Sequence, residues 1–167
     1  EGTPAIRCPT PGGASDLSDV AGLDALCAGA ADTGRVVEFL VRPAQLAAVA
    51  GVAAQHPSTR VVLCHLGLGA GAPDAGWEEA LGLVARQPNT FAKFSGLATR
   101  PGDDERLAAL AATSFDAFGG GRLMFGSDWP MSARYLSYTQ LVDDVDRAWG
   151  ARTDALWGAT ARELYRL

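Results

Sequence analysis

The sequence predicts an α/β fold in which helices cover a parallel sheet, and three observations support this prediction. Short runs rich in β-branched and aromatic residues alternate with longer runs rich in alanine and leucine, which is the pattern of successive βα units. The short runs are largely apolar, as strands are when both faces of a sheet are buried. Hydrophobic residues make up 48% of the 167 residues and charged residues 20%, which indicates a folded domain rather than a disordered chain.

The elements follow from hydrophobic periodicity and turn residues. Five strands are predicted at Pro4–Cys8, Arg35–Val41, Thr59–Cys64, Thr90–Phe94 and Arg122–Phe125. Six helices are predicted at Leu17–Ala31, Pro43–Gln55, Ala75–Arg86, Asp104–Phe118, Thr139–Trp149 and Thr153–Tyr165. The first helix would place Leu17, Val20 and Leu23 on one face, and Pro43 stands in a first turn, where proline is tolerated.

Charge and cysteine content exclude several classes of protein. A net charge of −5 and a pI of 4.9 argue against nucleic-acid binding, which needs a basic surface. No apolar run approaches the roughly 18 residues of a membrane span, and the N-terminus does not have the pattern of a signal peptide. Three cysteines without CxxC spacing indicate neither a disulfide framework nor a structural zinc site. We therefore expect a cytoplasmic protein that binds a small molecule.

Ionisable side chains lie in or directly after all five predicted strands. Arg7 and Glu38 lie in the first and second strands, His65 follows the third, Lys93 lies in the fourth and Asp128 follows the fifth. Ligands of parallel α/β proteins bind at the carboxyl ends of the strands. Charge is costly to bury without a partner or a role, so the joint occurrence of these residues points to a site.

Each of these residues also has a structural interpretation. His65 could bond a neighbouring loop, and Asp128 could be a turn residue, since Asp side chains bond their own backbone. Lys93 could neutralise Asp128, and Arg7 could pair with Glu38. For any single residue, the structural interpretation is the simpler one.

The chemistry available to the group is specific. Asp128 can act as a general base on water or bind a metal, and neutral His65 can bind a metal or a substrate. Arg7 and Lys93 can hold an anionic group or stabilise an oxyanion. This set fits hydrolysis of an ester, lactone or amide. The sequence contains neither a GxGxxG nucleotide loop nor a GxSxG serine elbow.

Four motifs carry a resemblance to a known family. VVLCHLG (Val61–Gly67), PNTFAKFSGL (Pro88–Leu97), RLMFGSDWP (Arg122–Pro130) and FLVRPAQL (Phe39–Leu46) resemble segments of the amidohydrolase-related lactonases. That family includes sugar-lactone and pyrone-dicarboxylate lactonases.

The resemblance implies a (β/α)8 TIM barrel, of which this chain would cover the last five βα units, as a single partial barrel domain over residues 1–167. A complete barrel takes about 250 residues. The His-x-His pair usual on the family's first strand has no match here, so strands one to three are expected to be absent. An open doubly wound sheet is the weaker alternative.

The resemblance also implies roles for individual residues. Asp128 is predicted as the catalytic acid/base, and His65 as the second catalytic residue. His65 and Asp128 are also the predicted metal ligands, with two alternatives left open: one divalent metal such as zinc, or none. The predicted substrate-binding residues are Arg7, Glu38, Lys93 and Trp129.

Two functions from different classes follow from these features. The first is a hydrolase of the amidohydrolase superfamily that opens a sugar-type lactone or a related ester or amide. The second is a truncated, noncatalytic half-barrel that binds a ligand or needs a partner chain. The sequence leaves a homo-oligomer open for either function.

Overall fold

The computed structural model describes residues 3–10, 13–69, 71–97, 103–150 and 154–167. Five strands form one parallel sheet, in the order of the chain. They are β1 (Ala5–Pro9), β2 (Val36–Leu40), β3 (Arg60–Leu63), β4 (Thr90–Phe94) and β5 (Leu123–Phe125). All five predicted strands are therefore confirmed, with ends that differ by at most one residue.

The order of the strands decides between the two predicted architectures. Every strand pairs in parallel with its neighbour in sequence, whereas a doubly wound sheet reverses direction at a switch point in its strand order. Consecutive parallel pairing is the arrangement of βα units in a barrel. The prediction of an open doubly wound sheet is therefore wrong, and the fold is part of a (β/α)8 barrel.

Helices follow the strands and pack beside one another. They are α1 (Leu23–Asp32), α2 (Leu46–Gln55), α3 (Trp77–Ala85), α4 (Asp104–Phe118), α5 (Tyr138–Trp149) and α6 (Thr160–Tyr165). α2 contacts α3, α3 contacts α4, and α4 contacts α5. The main core lies between these helices and one face of the sheet, with Phe39, Leu63 and Phe94 among its most buried side chains.

The structure corrects two predicted helices. The first begins at Leu23 rather than Leu17, because Leu17 and Gly22 both have positive φ angles, 60° and 72°, which a right-handed helix does not contain. The last prediction, Thr153–Tyr165, begins outside the described residues. Within them, a π-helical turn over Ala155–Ala159 precedes α6.

The opposite face of the sheet holds the features that position the site. A small apolar cluster of Val36, Val62, Met124 and Leu164 lies there, with Leu164 contributed by α6. Alternation along a strand puts Glu38 on the same face as Val36. In the described part of the chain, no helix is long and apolar enough to span a membrane. The single domain, the cytoplasmic location and the oligomeric state stay predictions.

Candidate active site

A cleft of about 1040 Å³ lies at the carboxyl ends of the strands. Its polar lining residues include Arg7, Thr10, Arg42, His65, Asp103, Arg106, Ser127, Asp128 and Tyr135. Sequence reasoning identified three of them, Arg7, His65 and Asp128, from their places in or just after strands. Thr10, Arg42 and Tyr135 were missed, because loop residues carry no periodic signal that marks which side they face. Arg106 was also missed; it lies in the first turn of α4, where a charged residue is usually on the solvent-exposed side of a helix.

His65 and Asp128 face each other in this cleft. The His65 Nε2 atom lies 3.5 Å from Asp128 Oδ1, although the two residues follow different strands with β4 between them. Both have left-handed backbones, with φ of 54° at His65 and 52° at Asp128. Such angles are uncommon for residues with side chains and are found at functional sites. The separation leaves a water or substrate oxygen room to contact both groups.

Ser95 fixes the other side of the His65 ring. The Ser95 Oγ atom lies 2.8 Å from His65 Nδ1, and the Ser95 side chain is buried. In the tautomer with its proton on Nε2, which the carboxylate facing that nitrogen favours, Nδ1 accepts a hydrogen bond from the Ser95 hydroxyl. The next residue, Gly96, passes so close that a Cβ atom there would lie 2.6 Å from Nδ1. Ser95 was not predicted as a site residue; its position two residues after Lys93 was the only sequence signal.

The environment keeps His65 neutral. Burial lowers the pKa of His65, the carboxylate of Asp128 opposes that shift, and the positive charges of Arg7 and Lys93 lower the pKa further. A neutral imidazole can donate through Nε2 without holding a positive charge in the cleft.

A second group of side chains, here called the Glu38 cluster, consists of Arg7, Glu38, Cys64, Lys93 and Tyr165. Glu38 Oε1 accepts hydrogen bonds of 2.6 Å from both Lys93 Nζ and Tyr165 Oη. Glu38 Oε2 accepts from Arg7 Nε at 3.3 Å and Arg7 Nη2 at 3.0 Å. The Cys64 thiol donates to the same oxygen at 3.7 Å. One buried carboxylate therefore joins four other residues.

Protonation in the Glu38 cluster is set by these contacts. Burial alone would raise the pKa of Glu38, but hydrogen bonds from Lys93 and Tyr165 outweigh it and lower the pKa to about 2. Burial and then the Glu38 carboxylate raise the pKa of Cys64 to about 11, and the same two causes raise the pKa of Tyr165. The carboxylate is thus ionised at neutral pH, and the thiol and phenol are neutral.

The predicted site residues fall into three places. Arg7, His65 and Asp128 line the cleft, whereas Glu38 and Lys93 are held in the Glu38 cluster. Trp129 is 67% exposed beside Asp128. The predicted pairing of Arg7 with Glu38 is confirmed, and the alternative that Lys93 neutralises Asp128 is wrong, because Lys93 reaches Glu38 instead. The substrate contacts of Glu38, Lys93 and Trp129 stay predictions.

The residues present do not by themselves complete a metal site. His65 and Asp128 supply two donors, and no group of three or more His, Cys, Asp or Glu side chains that could hold a metal occurs among the described residues. Zinc usually takes three or four protein ligands. The metal-binding roles predicted for His65 and Asp128 stay predictions.

Consecutive parallel βα units with a histidine and an aspartate facing each other at the strand ends are the arrangement of a barrel protein with a polar site at the carboxyl ends of its strands. The comparison with family models agrees with this class: the amidohydrolase family model matches residues 2–167. The chain belongs to the amidohydrolase family.

Individual relatives agree with this assignment. The chain is 35% identical over 153 residues to an L-fucono-1,5-lactonase of Burkholderia multivorans, covering 79% of this chain and 51% of that protein. An amidohydrolase from Burkholderia multivorans, crystallised with bound zinc, matches with a TM-score of 0.86 and 32% identity, over 100% of this chain and 66% of that chain. The chain thus spans about half the length of this curated lactonase.

A more distant structure agrees in fold alone. A probable 2-pyrone-4,6-dicarboxylic acid hydrolase from Acinetobacter baumannii, with citric acid bound, matches with a TM-score of 0.77 at 17% identity, over 98% of this chain and 64% of that chain. The two chains therefore share a fold, but their sequence identity is too low to support a shared substrate.

Proposed function

We propose that this chain carries catalytic residues of a hydrolase that opens a sugar-type lactone, or a related ester or amide. The observation that carries the proposal is the pair of His65 Nε2 and Asp128 Oδ1, 3.5 Å apart in a cleft that Arg7 also lines. The similarity to an L-fucono-1,5-lactonase supports a sugar lactone as the substrate class.

Asp128 is the proposed general base. Its carboxylate would take a proton from a water molecule as the water oxygen bonds to the lactone carbonyl carbon. The carbonyl oxygen then carries negative charge in a tetrahedral intermediate. As the ring carbon–oxygen bond breaks, Asp128 would return the proton to the departing ring oxygen, and the product is a hydroxy acid.

His65 and Arg7 are proposed to act on the carbonyl oxygen. A neutral His65 donates through Nε2, and its ring is held in place by Ser95 at Nδ1. Arg7 brings a permanent positive charge to the cleft. Donors fixed in place before the reaction stabilise the negative charge that develops on this oxygen, and this kind of stabilisation is often worth about 10²–10³ in rate per donor.

Hydrolysis of a panel of lactones tests the role of Asp128. Asp128→Asn keeps the shape of the side chain and removes the base, so we expect turnover to fall by about 10²–10⁴. Asp74→Asn is the matched control, because Asp74 is an exposed aspartate in the loop after β3. Equal turnover by the native protein and Asp128→Asn would contradict the proposed role.

Metal binding is proposed separately from this chemistry. A relative was crystallised with bound zinc, and His65 and Asp128 are two of the donor types that zinc accepts. Zinc content is measured on the purified native protein and on His65→Ala. Loss of zinc in His65→Ala would support His65 as a ligand, and equal content in both would contradict it.

A noncatalytic half-barrel that needs a partner chain is the second candidate. It is favoured by the sheet, in which β1 and β5 are the outer strands of the order described, and by the match to 51% of the lactonase. The panel is therefore run on the 167-residue chain alone. Lactone turnover by that chain would rule out the half-barrel.

A further inference from the structure

The two carboxylate oxygens of Glu38 have different partners. Lys93 and Tyr165 both donate to Oε1, and Arg7 donates twice to Oε2. These three donors, together with the weaker Cys64 thiol on Oε2, fix both the position and the plane of the carboxylate. The Glu38 side chain is only 8% exposed, so it contacts protein groups rather than the contents of the cleft.

Charge in the Glu38 cluster does not balance. One carboxylate faces two cations, since Cys64 and Tyr165 are neutral, and the sum is one positive charge. Lys93 is the nearer cation, at 2.6 Å, and its side chain is 19% exposed, whereas the Arg7 side chain is 57% exposed. The uncompensated positive charge is therefore presented to the cleft by Arg7.

The guanidinium of Arg7 is used on one side only. Its Nε and Nη2 atoms donate to Glu38, and within the described residues no acceptor is bonded to Nη1. A guanidinium is planar, so fixing the Nε and Nη2 side also fixes the direction of the Nη1 side. We propose that Glu38 is a positioning residue, which aims Arg7 at the substrate carbonyl and does not itself contact the substrate.

Tyr165 extends this arrangement to α6. It lies 127 positions after Glu38 and donates to it at 2.6 Å, and the Lys93 Nζ atom lies 5.3 Å from the centre of the Tyr165 ring. α6 therefore helps to hold the carboxylate that holds Arg7, and Tyr165→Phe removes one donor without removing the ring.

The first test measures Arg7 directly and needs no substrate. In the native protein, the Nε–H group of Arg7 is hydrogen-bonded, so we expect its ¹⁵N-detected hydrogen exchange with water to be slow. In Glu38→Gln we expect exchange at least about tenfold faster, because an amide is a weaker acceptor than a carboxylate. Glu78→Gln, on the exposed first turn of α3, is the matched control. An unchanged rate for Arg7 in Glu38→Gln would overturn the proposal.

The second test is a cycle of kinetic measurements, and it rests on the proposed function. We expect Glu38→Gln to lower kcat about tenfold with KM within about threefold, because the carbonyl oxygen gains charge in the transition state. Arg7→Met should lower kcat/KM about a hundredfold. If Glu38 acts through Arg7, adding Glu38→Gln to Arg7→Met has almost no further effect, whereas losses that multiply would overturn the proposal.

Two further outcomes keep the tests separate. Tyr165→Phe should keep the fold intact and accelerate the hydrogen exchange of Arg7 about two- to threefold. This variant keeps the proposal testable if Glu38→Gln does not fold. An unchanged exchange rate in Tyr165→Phe would contradict the proposal. A native chain that opens no lactone would contradict the proposed function alone, because the exchange measurement on Arg7 does not depend on turnover.

Discussion

The cleft pair and the Glu38 cluster lie on the same sheet but are built in opposite ways. His65 and Asp128 follow the ends of β3 and β5, have left-handed backbones and remain 3.5 Å apart. Glu38 and Lys93 lie within regular strands, and their atoms meet at 2.6 Å. The cleft pair keeps unused hydrogen-bonding capacity, whereas the carboxylate of the cluster uses both of its oxygens.

This contrast separates chemistry from support. Groups that react must keep hydrogen-bonding capacity free for the substrate, and residues in loops at the ends of strands can do so. Groups that orient others are more exact when they sit on strands and are locked by several contacts. Changes in the Glu38 cluster should therefore affect stability most, and changes around the cleft pair should affect turnover most.

The largest expected effect on stability is from Lys93→Met. This change leaves the buried carboxylate of Glu38 without its nearest cation, and breaking a buried ion pair costs roughly 3–5 kcal/mol. Urea unfolding measures the free energy of unfolding. Arg86→Met, at an exposed position after α3, is the control and should change it by less than about 0.5 kcal/mol. Equal stability of the two variants would contradict a structural role of the cluster.

Lowering the pH should reduce the free energy of unfolding by an amount comparable to the effect of Lys93→Met. The pKa of Glu38 is lowered from 4.5 to about 2 in the folded protein, so the folded state favours the ionised form. That contribution, roughly 3 kcal/mol, is complete above pH 4.5 and is lost as the pH falls towards 2. Urea unfolding across this range should show a smaller pH dependence in Glu38→Gln. An identical pH dependence would show that Glu38 is not the group responsible.

Gly96→Ala should have an intermediate effect on stability and a clear one on turnover. A Cβ atom at Gly96 would lie 2.6 Å from His65 Nδ1 on a backbone with a φ of 65°. We expect a loss of roughly 1–3 kcal/mol in unfolding free energy and turnover lower by about tenfold or more, since a small displacement of a reacting group is costly.

The control Gly22→Ala separates the effect of the positive φ angle from the effect of the contact with His65. Gly22 has a similar φ of 72°, but a Cβ atom there would meet nothing within 4 Å. This control should lose stability through its backbone alone and keep its turnover. Equal turnover in Gly96→Ala and Gly22→Ala would show that the contact with His65 has no role.

The smallest expected effect on stability is from Ser95→Ala. Losing one hydrogen bond to His65 costs about 1 kcal/mol, and a less well-held ring should lower turnover by about fivefold. Ser114→Ala is the control, because Ser114 is also buried but donates to Ala111 O within α4. Both variants should unfold alike in urea, and only Ser95→Ala should lose turnover; a parallel loss in Ser114→Ala would contradict a specific role.

The sequence predicted the sheet and the cleft pair for the same physical reason. Buried parallel strands are continuous apolar runs, and their carboxyl ends meet at one edge, so His65 and Asp128 could be expected to face each other. The partner of Lys93 could not be predicted this way. Lys93 lies within β4 and Asp128 lies three residues beyond β5, so Lys93 instead meets Glu38, which lies in the middle of β2.

Other features depended on contacts or conformations with no local signal. Tyr165 reaches Glu38 across 127 positions, and nothing in its helical pattern marks it as a partner. The start of α1 was misplaced because Leu17 fits the helical periodicity, while its φ of 60° belongs to a turn. Hydrophobic spacing indicates which residues are buried, but tertiary packing decides where a helix begins.

The contact between Tyr165 and Glu38 has a consequence for synthesis on the ribosome. Arg7, Glu38 and Lys93 are translated before Tyr165, so the second donor to Glu38 Oε1 becomes available only when α6 has been made. Contacts of such long range are formed late and slow folding. Until residue 165 has left the exit tunnel, water must take the place of the Tyr165 hydroxyl as the second donor to Glu38 Oε1.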